Sequence, residues 1–342
     1  MELAEGNKTL LETKNLQVGY RLHKGRKHVL LDALNLTISS GELITFIGPN
    51  GSGKSTLIKT LVDLIPLLKG KIYLSGKNYR EISSAEKASL MGVVLTDPVY
   101  ERNMTVFDVV SLGRYQHTNW LGAMTDSDRK SVLTSIEHVG LTDKITSRLN
   151  ELSDGERQRA LIAKVLAQDV DLIILDEPTA HLDLPNRMET LLLLHQISHQ
   201  SGKGILLSTH ELGLAMQISD KVWLINHEHQ LIQSLPEDLM LNGYLDSTFG
   251  NDHIGFHPFS ASFELVPDKK IKANISGDGL VTACVIRLLR RLRMEIIQNP
   301  GKNDVLIAVN EQLKEINVVY RGKNTFNSIA DLQNYLIQLL ND

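Results

Sequence analysis

The feature that most constrains the fold is a glycine-rich loop that directly follows a short apolar run. Residues 42–47 lie between Gly41 and Gly48 and are too few for a helix, so they predict a buried strand. Residues 48–56 then fit the pattern G-x-x-x-x-G-K-[ST], in which backbone N–H groups turn inward around phosphate oxygens. A helix from Lys54 to about Leu64 would point its positive dipole end at the same anion. This strand, loop and helix predict a nucleotide-binding α/β domain.

Every residue of the loop is a candidate for nucleotide binding: Gly48, Pro49, Asn50, Gly51, Ser52, Gly53, Lys54, Ser55 and Thr56. Lys54 would place its ammonium group on the β- and γ-phosphates. Ser55 would offer its hydroxyl to Mg²⁺.

Two carboxylates follow a second apolar run at residues 172–175. Ligands of open parallel sheets bind at the carboxyl ends of the strands, so both carboxylates are expected near the loop. Asp176 is predicted to hold Mg²⁺, directly or through water, and Glu177 to polarise the water that attacks the γ-phosphate. His210 follows another apolar run, at residues 205–208, and is a candidate to hydrogen-bond the γ-phosphate or the attacking water.

Composition describes an ordinary globular protein, with 42% apolar and 22% charged residues in a chain of 342. The net charge of −4 gives no support to nucleic-acid binding. No apolar run approaches the roughly 18 residues of a membrane-spanning helix, and the first residues lack the pattern of a signal peptide. The single cysteine, Cys284, excludes an intrachain disulfide and a cysteine zinc site. We therefore expect a cytoplasmic location.

The order of the patterns predicts two domains. Strands that alternate with helices over residues 12–250 predict a largely parallel sheet covered on both faces, with a helical subdomain inserted at about 100–168. Residues 251–258 are predicted to be a linker, and residues 259–342 a small C-terminal α/β domain. Its first helix is predicted from about Leu280 to Met294, with an apolar stripe that forms a core face: Leu280, Cys284, Val285, Leu288 and Leu292. Cys284 is therefore predicted to be buried. Arg287, Arg290, Arg291 and Arg293 crowd the same region, either as a solvated face or as a contact for anionic lipid or a ligand.

Three further motifs carry a resemblance to a known family. Residues 152–156, Leu-Ser-Asp-Gly-Glu, resemble the signature of ABC-type ATPases. Residues 180–183, Ala-His-Leu-Asp, resemble the family's D-loop, and residues 209–211, Thr-His-Glu, resemble its switch histidine. All the motifs occur in the family's order and span about residues 12–245. The resemblance implies a P-loop ABC ATPase fold, which is a mainly parallel sheet with additional antiparallel strands and a helical subdomain.

The resemblance also implies that two copies sandwich two ATP molecules head to tail. The signature residues Ser153, Asp154, Gly155 and Glu156 would then meet the ATP of the other copy, and Asp183 would belong to the D-loop. Glu177 and His210 would act in hydrolysis, and Tyr20 would stack on adenine.

Two departures from the family pattern are visible. Asp154 and Glu156 stand where the signature usually has a second glycine and a glutamine. Glu156 has a structural reason, because Ser153 and Glu156 form the capping-box pattern S-x-x-E at a helix start. Either Thr96 or Asp97 replaces the glutamine that usually approaches Mg²⁺.

The opening of the helical region, with Ser-Leu-Gly-Arg-Tyr at residues 111–115, is similar to the ATPase subunits of iron–siderophore, haem and cobalamin importers. This likeness implies a membrane permease that contacts residues near 96–115, and indirectly an extracytoplasmic substrate-binding protein. The chain would lie on the inner face of the cell membrane, and iron–siderophore ranks first among its substrates. One alternative is a soluble ABC ATPase of DNA repair or translation. Another is an inactive regulatory module, which would lack Glu177 or His210.

Overall fold

The predicted phosphate-binding loop directly follows an inner strand of a six-stranded sheet. The computed structural model describes residues 8–22, 26–95, 103–117, 124–257, 262–267, 271–301 and 304–341. The chain divides into two compact units, Met1–Tyr244 and Leu245–Asp342. Thr96 and Asp97, the alternatives for a magnesium ligand, lie outside the described residues.

The first unit contains eleven described strands and eight described helices. The strands are β1 (Thr9–Arg21), β2 (Lys27–Leu34), β3 (Thr37–Ser39), β4 (Leu43–Ile47), β5 (Lys69–Leu74), β6 (Lys77–Asn78), β7 (Met91–Val94), β8 (Leu172–Leu175), β9 (Gly204–Ser208), β10 (Lys221–Ile225) and β11 (Leu231–Ser234). The helices are α1 (Lys54–Leu61), α2 (Ser84–Leu90), α3 (Val106–Ser111), α4 (Asp126–His138), α5 (Asp154–Ala167), α6 (Leu184–Ser201), α7 (Leu212–Ile218) and α8 (Pro236–Leu241).

The six-stranded sheet has the order β11-β10-β4-β9-β8-β7, and only β11 pairs in the antiparallel sense. A second sheet is antiparallel, in the order β2-β1-β5-β6 with β3 beside β1. Strand β4 therefore ends between β10 and β9, so the loop after it lies at the carboxyl edge of the parallel strands. This edge is where ligands bind in open α/β sheets.

The parallel strands are buried on both faces, which explains why they read as continuous apolar runs. Alternate residues of β8 enter two different cores: Ile173 and Leu175 join the core of the helical region, whereas Leu172 and Ile174 join the core toward α1 and the antiparallel sheet. Helices α3, α4 and α5 share the first of these cores. The two layers of packing hold the carboxyl edge of the sheet rigid.

The second unit has its own hydrophobic core. Its strands are β12 (Ile254–His257), β13 (Ser262–Leu265), β14 (Lys272–Ser276), β15 (Glu295–Ile296), β16 (Val305–Asn310), β17 (Glu315–Val319) and β18 (Lys323–Phe326), and its helices are α9 (Tyr244–Phe249), which begins at the boundary, α10 (Leu280–Arg291) and α11 (Ile329–Asn341). Strands β12 and β13 form a hairpin, and the other five form a sheet of order β15-β14-β16-β17-β18. Strand β12 lies within the segment that the sequence predicts as a linker.

The buried face of α10 differs from the predicted stripe. The sequence placed Cys284 on the apolar face, but Cys284 is exposed in the structure, so this prediction is wrong. The buried residues of α10 are Thr282, Val285, Leu288 and Leu289, so Val285 and Leu288 of the predicted stripe are buried as expected, and Thr282 and Leu289 join them. A cysteine one position before Val285 is turned about 100° away from it around the helix axis.

Three of the four arginines near α10 bond within the second unit. Arg290 pairs with Glu264 at 2.5 Å, Arg291 donates to Gln333 Oε1 at 2.6 Å, and Arg293 donates to the carbonyl oxygen of Val266 at 3.1 Å. Arg287 is exposed. The arginines are therefore mostly part of the unit's own hydrogen bonding.

Candidate nucleotide-binding and hydrolysis site

A cavity of about 350 Å³ opens at the carboxyl edge of the parallel sheet. Its walls come from β1 and β2, from the loop between β4 and α1 and the first turn of α1, and from the segments after β8 and β9. The lining residues are Tyr20, Leu30, Asn50, Gly51, Gly53, Lys54, Ser55, Thr56, Glu177 and His210. The fold thus brings together groups that lie up to 190 residues apart in the chain.

The loop between β4 and α1 needs glycine at two positions. Gly48 has φ 153°, and a Cβ atom there would lie 2.9 Å from the carbonyl oxygen of Ile225. Gly53 has φ 107° at the N-cap of α1, a conformation that a side chain strains. These two residues let the chain turn from a buried strand into a helix within six residues, which directs backbone N–H groups into the loop.

The ammonium group of Lys54 lies inside this loop. Its Nζ donates hydrogen bonds to the carbonyl oxygens of Gly48 at 2.7 Å and Pro49 at 3.1 Å. Burial lowers the pKa of Lys54 below its ordinary value, while the carboxylates of Glu177 and Asp176 raise it and so partly oppose burial. The ammonium group is therefore close enough to both carboxylates to interact with them electrostatically.

A buried serine organises the two carboxylates. Ser208, the last residue of β9, is fully buried, and its hydroxyl donates to Asp176 Oδ1 at 2.7 Å. The same hydroxyl oxygen accepts a hydrogen bond from the backbone N–H of Glu177 at 2.8 Å. Glu177 has φ 53°, which turns its side chain away from the line of the strand. One hydroxyl group thus fixes a buried carboxylate and the backbone turn that aims the next one.

The side chain of Glu177 meets His210 at the cavity wall. His210 Nε2 and Glu177 Oε1 are 2.8 Å apart, and the two side chains are partly exposed. Elsewhere in the lining, the hydroxyl groups of Tyr20 and Thr56 lie 2.9 Å apart. The phenol ring of Tyr20 is held by this contact while 44% of the residue stays exposed. The lining of the cavity therefore includes both a flat aromatic surface and a carboxylate–imidazole pair.

The four signature residues begin helix α5, and none of them is among the described residues that line the cavity. Ser153 is the N-cap: its backbone N–H donates to Glu156 Oε2 at 2.9 Å, and its hydroxyl accepts from the backbone N–H of Glu156 at 3.3 Å. The backbone N–H of Ser153 lowers the pKa of Glu156. Asp154 Oδ1 pairs with Arg157 Nη1 at 2.9 Å. Each acidic side chain of the signature has a partner on its own helix.

The D-loop residue Asp183 is the N-cap of α6. Its Oδ1 accepts from the backbone N–H of Asn186 at 3.1 Å and from the side-chain amide of Asn186 at 2.7 Å. The Asn186 side chain fills the space beside the signature glycine, because a Cβ atom on Gly155 would lie 2.3 Å from Asn186 Oδ1. The start of α6 therefore packs directly against the start of α5.

Comparison with known proteins identifies the family. Residues 31–180 match the ABC transporter family. The chain is 35% identical over 290 residues to an ABC transporter ATP-binding protein of Methanocaldococcus jannaschii, a match that covers 84% of this chain and 98% of the relative. It is 31% identical to the iron(3+)-hydroxamate import ATP-binding protein of Bacillus subtilis, over 76% of this chain and 97% of the relative.

Among solved structures, a transporter assigned to the metal-chelate type, in an inward-facing conformation, matches with a TM-score of 0.61 at 25% identity. That match covers 75% of this chain and 95% of the other. The chain belongs to the ATP-binding proteins of ABC transporters. The family and the P-loop ABC ATPase fold predicted from the motifs are confirmed. Within the described part of this ABC protein, we find no helix with the length and apolar character needed to cross a membrane.

The residues of this ABC protein fit a magnesium ion. Ser55 lines the cavity, and the carboxylate of Asp176 is buried at the end of β8, where it interacts with Lys54. Hard oxygen donors of this kind suit Mg²⁺, which usually takes one or two carboxylates and completes its shell with phosphate and water. No cluster of three or more ionisable metal-ligating side chains occurs in the described residues.

Sequence reasoning missed three residues that organise this ABC site. Ser208 bridges Asp176 and Glu177, Asn186 packs against the signature, and Arg187 bonds to Leu182. Ser208 could have been found, because it is a polar residue that ends an apolar strand at the same edge as Asp176. Asn186 and Arg187 carry no such signal, since their partners depend on how α6 packs.

Proposed function

We propose that this chain hydrolyses ATP to energise import of an iron–siderophore through a separate membrane permease, with haem and cobalamin as less favoured substrates. The observation that carries the proposal is the convergence of Lys54, Glu177 and His210 on one cavity at the carboxyl edge of the sheet. The iron(3+)-hydroxamate import relative and the metal-chelate type transporter support this substrate class. A DNA-repair or translation role has no such support.

The cavity suggests how each residue acts in the proposed reaction. Tyr20 stacks on the adenine ring, and Lys54 binds the terminal phosphates in the loop. Glu177 accepts a proton from the attacking water, while His210, hydrogen-bonded to Glu177, keeps that carboxylate oriented. Ser55 and Asp176 would hold Mg²⁺, which would neutralise phosphate charge, and Thr96 or Asp97 is proposed as a further ligand.

The signature and D-loop are proposed to act on a second copy of the chain. Helix α5 presents the backbone N–H groups of its first turn, around Gly155, as donors for the γ-phosphate of ATP bound to the partner. This arrangement is supported by the position of the signature outside the chain's own described cavity. Two copies would thus enclose two ATP molecules.

The permease is proposed to contact the segment near residues 96–115. Leu112 and Tyr115 are 44% and 77% exposed, and exposed apolar side chains of this size suit a protein interface. The chain would then lie on the inner face of the cell membrane, and a substrate-binding protein would act on the far side.

Replacing Glu177 with glutamine tests the hydrolysis mechanism. Glu177→Gln keeps the shape of the side chain but cannot accept the proton, so ATP hydrolysis should fall to background while ATP-dependent dimerisation persists or increases. Glu228→Gln, in the exposed turn between β10 and β11, is the matched control and should behave like the wild type. Equal hydrolysis by wild type and Glu177→Gln would refute the role of Glu177.

Uptake by cells tests the substrate class. Cells that express the chain with its permease should accumulate radiolabelled iron supplied as a hydroxamate siderophore, and Glu177→Gln should abolish the accumulation. Uptake of haem or cobalamin instead would move the assignment to those substrates.

The second unit is proposed to be an accessory domain that regulates or stabilises the dimer. A cavity of about 640 Å³ in this unit is lined by apolar side chains such as Phe256 and Ile275 and by the charged pair Arg290–Glu264. A cavity with both kinds of wall suits a small regulatory ligand. A chain that ends at Tyr244 tests this role, and unchanged dimerisation, hydrolysis and transport would refute it.

A further inference from the structure

Arg187, in the first turn of α6, joins two chain segments that lie on either side of the proposed catalytic pair. Its guanidinium donates through Nη2 to the carbonyl oxygen of Leu182 at 2.7 Å and through Nη1 to the carboxylate of Glu211. The side chain is 24% exposed, and its Nε is buried without a hydrogen-bond partner in the described part of the chain. The two Nη contacts therefore determine where the guanidinium lies.

The first of these partners belongs to the segment that follows Glu177. Leu182 lies in the D-loop, five residues after Glu177, and the backbone N–H of Ala180 donates to the carbonyl oxygen of Glu177 at 3.1 Å. A displacement of the Leu182 carbonyl would therefore be transmitted through a short, hydrogen-bonded turn to the backbone of Glu177.

The second partner belongs to the segment that carries His210. Glu211 directly follows His210 and forms the N-cap position of α7, where its backbone N–H donates to Thr209 Oγ1 at 3.0 Å. The backbone of Glu211 is thus held by Thr209, and its carboxylate is held by Arg187. His210, one residue earlier, reaches Glu177 at 2.8 Å from this fixed position.

We propose that Arg187 is a positioning residue for hydrolysis, which holds the D-loop and the switch segment at a fixed separation so that His210 and Glu177 stay in contact. The planar guanidinium is suited to this role because its two Nη groups bind two different acceptors at a set angle. The inference rests on the proposed function, since it assigns Arg187 to the same hydrolysis site. Its neighbour Asn186 contacts the signature glycine, so the first turn of α6 links signature, D-loop and switch.

A second ion pair that involves helix α6 provides a matched control. Arg159 of α5 pairs with Glu189 of α6 at 3.4 Å, and its side chain is 18% exposed. This pair also involves a partly buried arginine and an α6 residue, but it touches neither the D-loop nor the switch segment. Partly exposed ion pairs of either kind contribute little to the free energy of unfolding. Loss of either arginine should therefore leave the fold intact.

The experiment compares Arg187→Gln, Arg187→Lys and Glu211→Gln with Arg159→Gln. We expect kcat for ATP hydrolysis to fall about tenfold or more in the first three, with KM changed less than about threefold, because binding groups are untouched. Arg187→Lys should not restore kcat, since one ammonium group cannot bind both acceptors in the same geometry. Arg159→Gln should stay within about twofold of wild type in both constants.

NMR spectroscopy tests whether Arg187 positions His210, independently of ATP hydrolysis. The imidazole ¹⁵N resonances of His210, assigned by their loss in His210→Gln, should shift in the Arg187 and Glu211 variants of the nucleotide-free chain and stay in place in Arg159→Gln. Unshifted His210 resonances, or equal loss of kcat in Arg187→Gln and Arg159→Gln, would overturn the inference. Equal hydrolysis by wild type and Glu177→Gln would instead refute the proposed function, and the resonances would still report on Arg187.

Discussion

Replacing Ser208 with alanine should destabilise the first unit more than the loss of an ordinary buried serine hydroxyl. The Ser208 hydroxyl donates to the buried carboxylate of Asp176 at 2.7 Å and accepts from the N–H of Glu177 at 2.8 Å. Hydrogen bonds to charged groups contribute about 1.5–3 kcal/mol, and neutral ones about 1 kcal/mol. The variant Ser208→Ala should therefore lose about 2.5–4 kcal/mol of the free energy of unfolding.

Ser198→Ala is the matched control. Ser198 is also fully buried, but its hydroxyl donates only to the carbonyl oxygen of Lys203, at 3.0 Å. Both partners of that bond are uncharged, so the expected loss is about 1 kcal/mol. Both substitutions remove the same atom from a buried site, so the difference between them measures the effect of the carboxylate and its neighbour.

Urea unfolding followed by tryptophan fluorescence measures both variants. Both tryptophans of the chain, at positions 120 and 223, precede the boundary at Tyr244, and none occurs in the sequence of the second unit, so the signal does not report on the second unit. Trp223 is fully buried and packs edge-on against Phe46 of β4, next to the site. Losses of equal size for Ser208→Ala and Ser198→Ala would refute the reasoning. A lower kcat in Ser208→Ala alone would connect the same hydroxyl to hydrolysis.

Three further predictions follow from contacts outside Ser208. Gly155→Ala should weaken ATP-dependent dimerisation, measured by light scattering, and adding Asn186→Ala should restore much of it by removing the atom 2.3 Å from the new Cβ. Gly53→Ala should lower ATP affinity in titration calorimetry through backbone strain, because its added Cβ would be in ordinary contact with Leu30 Cβ, at 3.6 Å, while φ is 107°. Hydrogen bonds from Thr125 lower the pKa of Asp128 to about 2. The stability that wild type has over Asp128→Asn should thus be constant above about pH 5 and shrink from about pH 4 to 2 in urea titrations.

The sequence predicted the carboxyl edge of the sheet well, because its signals are local. A short apolar run that ends in a glycine-rich loop has few structural alternatives, and β4 indeed ends at Ile47 with all five residues buried. The acidic pair after β8 follows the same rule. These strands show no alternation of apolar and polar residues, because both of their faces are buried. The prediction of strands therefore depended on the length of each apolar run and on the residues that flank it.

The second unit was predicted less well, because more than one line of residues along its first long helix, α10, could form the buried face. The predicted line ran through positions 280, 284, 285, 288 and 292, whereas the buried line of α10 is 282, 285, 288 and 289. The structure thus keeps Val285 and Leu288 in the core, adds Thr282 and Leu289, and exposes Cys284 together with Leu280, which is 77% exposed. Which line becomes the core depends on the sheet that the helix covers, and the helix sequence alone does not encode that choice.

The two acidic residues of the signature depart from the family pattern, and their partners in the structure explain how the helix start could still bind a phosphate. Glu156 and Asp154 stand where a glutamine and a glycine are usual, and two carboxylates beside a phosphate would repel it. In the structure Glu156 accepts hydrogen bonds from the backbone and hydroxyl of Ser153, and Asp154 pairs with Arg157. The Ser153 hydroxyl is also engaged with Glu156, as donor and as acceptor, whereas the backbone N–H of Gly155 belongs to the first turn of the helix, where N–H groups have no partner within the helix. In this chain we therefore expect the peptide backbone to contribute more than the serine side chain to any phosphate bound there.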